Sequence, residues 1–433
     1  MLDIKYIREN ADIVKKAVHD KQLTGSVNID KLLELDEKYR QLLQNVETHR
    51  ALRNQLSKDI PLVSADEREK LIEEATKVKE ELASYENEFS EIETERDNLL
   101  LKVPNIISED VPYGVGEEDN VVIRTIGKPR EFDFTPKDHI ELGESLNLID
   151  IKKASEVSGS RFNFLLNEAV LMQFALIQFV FDTLTSEQTV EELAKSVNNP
   201  SFKTFTPVLP PVFVRTGVMD KMDRLQPTDE RYVFERDDIV LIGSAEHTLG
   251  PLQMHESLSD PELPIRYIGY STAFRREAGS YGKDTRGILR VHQFDKLEME
   301  SFTTPEMGQA EQNLMVAIQE YFLQKLELPY QVIAISSGDM GKPDFRQVDI
   351  NTWMPGYSAY RETHTSDYMT DFQSRRLNIA YESGGYVYMN DATAIAIGRT
   401  LIAILENYQQ KDGSVIVPEV LRKYMGKDVI RAK

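Results

Sequence analysis

The apolar positions of this chain change period along its length, and the changes divide it. Residues 1–20 carry apolar residues at helical spacing and predict one short helix. Asn28-Ile29-Asp30 opens a longer helix. There Leu32, Leu35, Tyr39, Leu42 and Val46 recur every three or four positions, less cleanly as far as Leu56. Lys58-Asp59-Ile60-Pro61-Leu62 breaks the pattern, because proline cannot continue a helical hydrogen-bond ladder. Ala75, Val78, Leu82, Tyr85, Phe89, Ile92 and Leu99 then repeat the spacing, with Arg96 as the one polar interruption. Two such stretches joined by a short break predict an antiparallel helical hairpin over about 30–100, roughly 45 Å long at 1.5 Å per residue. The pattern fits a dimerisation coiled coil and a free arm equally well.

Pro104-Asn105-Ile106-Ile107 ends the hairpin, and a polar stretch near 108–130 reads as a linker. Beyond it the pattern is mixed. Phe162 to Leu184 predicts an apolar helix, and further helices are expected over 305–327, 368–377 and 394–410. FTPVLPPVFV (205–214) reads as an edge or bulged strand, since its prolines cannot donate ladder bonds. Strands are also expected at 239–242, 265–273, 287–302, 330–336, 347–352 and 386–389. Strands outnumber crossover units, so the fold class is α+β: an antiparallel sheet flanked by helices, with an N-terminal antiparallel helical coiled-coil arm. Residues 1–107 form the expected N-terminal domain and 108–433 the second.

The densest chemistry lies between Phe274 and Glu300. On the strand expected there, Arg290, His292, Phe294, Lys296, Glu298 and Glu300 fall on one face, and Leu289, Val291, Leu297 and Met299 on the other, which Gln293 and Asp295 interrupt. Arginines suit phosphates, Phe294 offers a ring for a base, and Glu298 can hold an ammonium, so the face suggests a site for a nucleotide and an amino acid. Gly279-Ser280-Tyr281-Gly282-Lys283-Asp284 is too short and ends wrongly for a phosphate-binding Walker loop, and no GxGxxG occurs. Side chains must therefore hold any phosphates. Arg275, Arg286, Arg290 and Arg399 are candidates, Arg399 near a helix N-terminus that also favours anions. Arg275 with Glu277, Ser244 with Glu246, and Glu298 with Glu300 share strand faces, each pair equally readable as a solvated face. His292 reads as structural. Magnesium needs only one or two carboxylates plus phosphates, which Glu362 and Glu298 could supply. No nucleophile-and-base constellation stands out, which suits a reaction run by positioning and charge.

Composition narrows the setting. The 433 residues contain no cysteine, excluding disulfides and thiolate metal sites. The start is a charged amphipathic pattern without the apolar core of a signal peptide, and no apolar run reaches membrane-spanning length. A cytoplasmic protein with no membrane partner is expected. The formal net charge of −21 argues against general affinity for nucleic acid but leaves room for a local basic surface.

FTPVLPPVFV resembles motif 1 of the class II aminoacyl-tRNA synthetases, with Pro211 at its proline. FRREAG through HQFDKLE resembles motif 2 in its seryl form, and AIAIGRTLIAILENYQ motif 3. With the N-terminal hairpin, the whole chain resembles the seryl-tRNA synthetases of bacterial type. The resemblance implies serine activation with ATP and Mg2+, then transfer to tRNA-Ser, with tRNA-Sec a second candidate substrate, by a homodimer. It implies Arg275 at the α-phosphate and serine carboxylate, Glu277 at the adenine amino group and Phe294 stacked on the ring. Arg290 and Arg399 would take the phosphate tail, with Arg276 and Val291 completing the ATP set. Glu362 and Thr365 would lie at the magnesium. Ser244, Glu246, Glu298, Asp391 and Thr393 would line the serine pocket, and Arg275 and Arg399 would be catalytic. On the arm, Arg50, Arg53 and Lys58 are the candidate tRNA contacts. The chain departs from the family in Ser244 for the usual Thr, in THTSDY after Arg361-Glu362, where His364 and Asp367 are unusual, in Asp391 for the usual Asn, and in Ala392 and Ala394 for Gly. Asp391 could anchor the substrate ammonium or cap a turn. An amino acid:carrier-protein ligase would lack the arm, and a non-catalytic relative would have little use for the arginine set.

Overall fold

The computed structural model describes residues 1–278 and 286–432; residues 279–284, weighed above as a phosphate loop, lie outside the described residues. The chain forms two compact units, Met1–Ile106 and Ile107–Lys433.

In the first unit, the single helix expected over 1–20 is two, α1 (Ile4–Glu9) and α2 (Ala11–Asp20). Asn10 leaves helical geometry between them (φ −130°), and its side-chain amide donates to Tyr6 O at 3.1 Å. The hairpin follows as α3 (Ile29–Asp59) and α4 (Ala65–Leu100). Asn28 caps α3 by accepting from Lys31 N, Pro61 sits in the 3-10 turn that ends it, and Ser64 with Glu67 forms a capping box on α4. Ion pairs Lys38–Glu88 and His49–Glu81 show the two helices running antiparallel. Leu35, Leu42 and Ile92 bury the seam with Tyr39, Tyr85 and Phe89 around them. The polar interruption is part of that packing: the Arg96 guanidinium lies 3.4 Å from the Tyr39 ring centroid and pairs with Asp97. Leu2, Ile7, Val14, Val18, Leu32, Leu100 and Val103 form the core at the base of the arm.

The second unit is built on an eight-stranded sheet: β1 (Val121–Ile126), β2 (Thr206–Val208), β3 (Ile265–Phe274), β4 (Gln293–Thr303), β5 (Tyr330–Ala334), β6 (Arg346–Met354), β7 (Ala359–Thr370) and β8 (Tyr388–Ala396). The order is β1-β5-β6-β7-β8-β4-β3-β2, antiparallel throughout except that β2 runs parallel to β3 at the edge. Helices α5 (Asn167–Leu184), α6 (Gly308–Lys325) and α7 (Ile397–Tyr408) bring Met172, Leu176, Leu314, Phe322, Leu401 and Ile404 into one core with the sheet. No single helix among the described residues is long and apolar enough to cross a membrane.

Several expected elements differ. β1 lies inside the expected linker, and its largely exposed side chains left no alternation to read. β7 falls in YRETHTSDYM, where polar residues fill buried positions, and the helix expected from 368 starts only at Phe372. FTPVLPPVFV contributes the edge strand β2, then enters a separate three-stranded sheet through Phe213–Arg215. The strand expected from 287 begins at Gln293. Gly287 turns at φ +75°, where a Cβ would collide with the His139 ring, and Ile288 N donates to His139 Nε2 at 3.3 Å.

A buried ion pair ties α6 to β3. Arg266 Nε and Nη2 meet the two Glu311 oxygens at 2.7 and 2.6 Å, and Asn199 and Ser301 donate to the same carboxylate. Glu311→Ala leaves the guanidinium buried and uncompensated, and is expected to cost about 3–5 kcal/mol in urea unfolding. The double variant Arg266→Met/Glu311→Leu should lose markedly less. Equal losses would contradict this account.

Candidate active site

The register of four central strands sets residues in two rows on one face of the sheet. Gly269, Glu298 and Thr393 stand opposite one another on β3, β4 and β8. The next row runs Tyr267, Glu300, Asp391 and Asp367 across β3, β4, β8 and β7. A cavity of about 740 Å³ opens over this face. Twelve of the residues expected at the site line it: Glu246, Arg275, Glu277, Arg290, Val291, Phe294, Glu298, Glu362, Thr365, Asp391, Thr393 and Arg399. Ser244 lies just beneath, fully buried. Arg276 is not brought in: its Nε donates to Arg231 O and its guanidinium covers the Tyr232 ring. Arg286 is exposed. Arg50, Arg53 and Lys58 are exposed on α3, in the other unit.

At one end sit the aromatic and arginine groups. β3 ends at Phe274, so Arg275 and Glu277 follow the strand instead of sharing its face. Arg275 N donates to His292 O at 3.0 Å, and the His292 ring meets Arg275 O and packs on Phe162, the structural role expected of it. Glu277 adopts φ +51°, a costly conformation for a non-glycine residue that Arg161 Nη1 fixes by donating to its carbonyl at 2.5 Å. Its carboxylate meets Arg290 Nη1 at 3.3 Å. Arg275 Nε donates to Gly243 O at 3.0 Å, and its guanidinium stands 5.4 Å from the Phe294 ring centroid. An arginine and a ring are thus fixed side by side, as a base with an attached phosphate would require.

Arg399 projects from the first turn of α7 and donates to Glu362 O (2.8 Å) and Oε1 (2.9 Å). Arg399 and Arg275 hold the Glu362 carboxyl below its ordinary pKa, against the opposing effect of desolvation. Thr365 Oγ1 donates to Asp349 Oδ1 at 2.6 Å. Burial, then repulsion from Glu362, pushes Asp349 up to about 8. A carboxylate whose proton affinity is raised by the ionised Glu362 beside it, close to two arginines, fits a magnesium ion, which needs few protein oxygens once phosphates share it.

At the other end, Glu298 is 1% exposed, accepts from Ser244 Oγ at 3.1 Å and pairs with Lys296 Nζ at 2.6 Å. Glu298 and Glu300 are both buried, so the solvated face that their spacing also allowed is not what forms. Glu246 opens a helical turn, Glu246–Leu249, so Ser244 and Glu246 do not share a strand face. His247 accepts from Gly243 N, and burial and the arginines nearby drive its pKa down to about 3, leaving a neutral ring beside Glu246. Asp391 lies inside β8, which removes the turn-cap reading.

Burial pushes Glu298 up to about 7, against the attraction of Lys296. Only its ionised form pairs with an ammonium. Affinity for an amino acid should therefore be full above pH 7 and weaken toward tenfold per unit below it. A pH series of substrate KM between 6 and 8 checks this, and a flat profile would contradict it.

Arg224, Arg231 and Asp349 also line the cavity and were not singled out by sequence; Lys296, placed on the polar face without a role of its own, lines it too. Lys296 and Asp349 alternate with other cavity residues on β4 and β6, a signal that strand period carries. Arg224 and Arg231 lie between elements, where no period exists.

The chain matches two family models: the seryl-tRNA synthetase N-terminal domain over residues 1–107, and the tRNA synthetase class II core domain (G, H, P, S and T) over 232–408. It is 40% identical to the serine–tRNA ligase of Dictyoglomus turgidum over 440 residues, covering 100% of both chains. Among solved structures, the seryl-tRNA synthetase of Pyrococcus horikoshii complexed with ATP matches with a TM-score of 0.91 and 36% identity over 100% of both chains. The cytoplasmic serine–tRNA ligase of Naegleria fowleri in complex with AMP matches at 0.87 and 31%, covering 100% of this chain and 99% of that one.

Proposed function

The chain belongs to the seryl-tRNA synthetase family of class II aminoacyl-tRNA synthetases, and we propose that it activates L-serine with ATP and transfers the seryl group to tRNA-Ser through the cavity described above. The observation that carries the reading is that Glu298, Arg275, Phe294 and Arg399 line one cavity, with Arg275 beside the Phe294 ring, which supports groups for an ammonium, a carboxylate with its α-phosphate, a base and a phosphate tail in one site. The serine carboxylate attacks the α-phosphorus, and the bond to the bridging oxygen breaks to release pyrophosphate. The terminal ribose hydroxyl of tRNA then attacks the adenylate carbonyl and AMP leaves.

In this reading Glu298 takes the substrate ammonium, with Ser244 orienting its carboxylate and Glu246 and Thr393 lining the pocket. Arg275 binds the serine carboxylate and meets the charge that develops on the α-phosphate, where a preorganised donor does most for the rate. Phe294 stacks on adenine, Glu277 accepts from its amino group, and Val291 packs nearby. Arg290 and Arg399 hold the phosphate tail. Glu362 with Thr365, and Asp349 beside them, would hold a magnesium ion, which neutralises phosphate charge. A site built to hydrogen-bond the serine hydroxyl rejects alanine, because alanine leaves a buried polar group unpaired. A homodimer, a cytoplasmic setting and use of tRNA-Sec as well as tRNA-Ser belong to the same proposal.

Serine-dependent ATP–pyrophosphate exchange tests the first step, and charging of tRNA-Ser the second. Exchange with serine well above that with alanine and threonine is expected. No exchange with serine would sink the reading.

A further inference from the structure

Serine brings one cation to this cavity, and the carboxylates there exceed what that cation and the protein's own can balance. Asp391 and Asp367 stand opposite each other on β8 and β7, 2% and 7% exposed, and both line the cavity. Glu300 faces Asp391 from β4 and is fully buried. Like charges placed opposite one another in a sheet are destabilising, and a buried carboxylate without a partner is more so.

Among the described residues, one guanidinium reaches this row. Arg224 Nη2 stands 3.5 Å from Asp367, 3.7 Å from Asp391 and 3.9 Å from Asp344, beyond hydrogen-bond reach of all three. Asp391 Oδ2, Asp367 Oδ1 and Glu246 Oε2, all more than nine-tenths buried, have no hydrogen-bond partner among the described residues, and neither oxygen of Glu300 has one there. Burial, then repulsion from neighbouring carboxylates, holds Glu300 and Asp391 well above the usual carboxylate range, against the attraction of Arg224. A hydroxyl reaching this row supplies one donor and no charge. An ammonium supplies three donors and the missing charge.

We propose that the site also activates a short diamino acid, L-2,3-diaminopropionate, whose β-ammonium would sit against Asp391 and Asp367. The inference rests on the ligase reading and extends its substrate class. The two amino acids have the same number of non-hydrogen atoms, so the diamine fits by size wherever serine does. The reaction balances as for serine: a carboxylate oxygen bonds to the α-phosphorus, the phosphorus–oxygen bond to pyrophosphate breaks, and both ammonium groups pass through unchanged.

The test is ATP–pyrophosphate exchange by the full-length protein with serine, 2,3-diaminopropionate and alanine in parallel. Exchange with the diamine should exceed that with alanine by about tenfold or more, the worth of one charge-assisted hydrogen bond. Asp367→Asn should lower the ratio of kcat/KM for the diamine to that for serine by about tenfold. If that variant fails to fold, Asp391→Asn is read by the same ratio. Exchange with serine but none above alanine with the diamine overturns this inference and leaves the ligase reading standing. Exchange with the diamine alone supports it and overturns serine as the substrate; exchange with neither overturns both. A fall in both substrates by the same factor in the variant assigns the row a structural role and also overturns it.

Discussion

Arg275→Ala lowers kcat for serine-dependent ATP–pyrophosphate exchange by about 10²–10³-fold, the loss that follows when one preorganised donor to developing charge is removed. The residue is held before any substrate arrives. Its backbone is bonded to His292, its Nε to Gly243 O, and its guanidinium stands beside Phe294. Little reorganisation remains to be done as charge builds on the α-phosphate oxygens, so the loss should fall on kcat more than on serine KM. Arg276 provides the contrast. It follows directly in sequence, yet its guanidinium is spent on Tyr232 and its Nε on Arg231 O. Arg276→Ala should cost far less. A loss below about threefold for Arg275→Ala, under 1 kcal/mol, would remove it from the chemistry.

What could be read from sequence follows the physics of period. The arm was legible because two long helices with one apolar seam repeat every three or four residues for many turns, and its caps and proline break are local signals. The pairing of Phe294 with Glu298 on one face was legible because β4 keeps strand period from Gln293 onward. The residues before it misled, since Leu289 and Val291 are buried in an irregular turn that happens to alternate. β7 was missed because its cavity-facing positions hold Thr363, Thr365 and Asp367, which line a site instead of a core. The acidic row is the clearest case. Glu300, Asp367 and Asp391 come from three strands far apart in sequence, and only their register makes them neighbours. Arg224, which answers their charge, sits in a segment with no repeating pattern at all.

The arm makes the second large prediction. Removing residues 44–84 and joining Leu43 to Tyr85 through a short Gly/Ser bridge should lower charging of tRNA-Ser by about 100-fold or more, roughly 3 kcal/mol of lost binding, while leaving serine-dependent exchange within about threefold. The cut keeps the lower seam of Leu35, Tyr39, Leu42, Tyr85, Phe89 and Ile92, and with it the core at the arm's base. It removes the exposed Arg50, Arg53 and Lys58. A chain of net charge −21 repels nucleic acid in general, so contact must rest on a few placed cations, and losing them is not made good elsewhere. Arg50 is already paired with Glu86 at 2.7 Å, a pair that RNA phosphate would have to displace. Substituting Arg53 and Lys58 together should therefore weaken charging more than Arg50→Ala does, and should flatten the dependence of tRNA KM on salt, because fewer counterions are released. If the shortened protein charges tRNA as well as the intact chain does, the arm serves assembly and not tRNA.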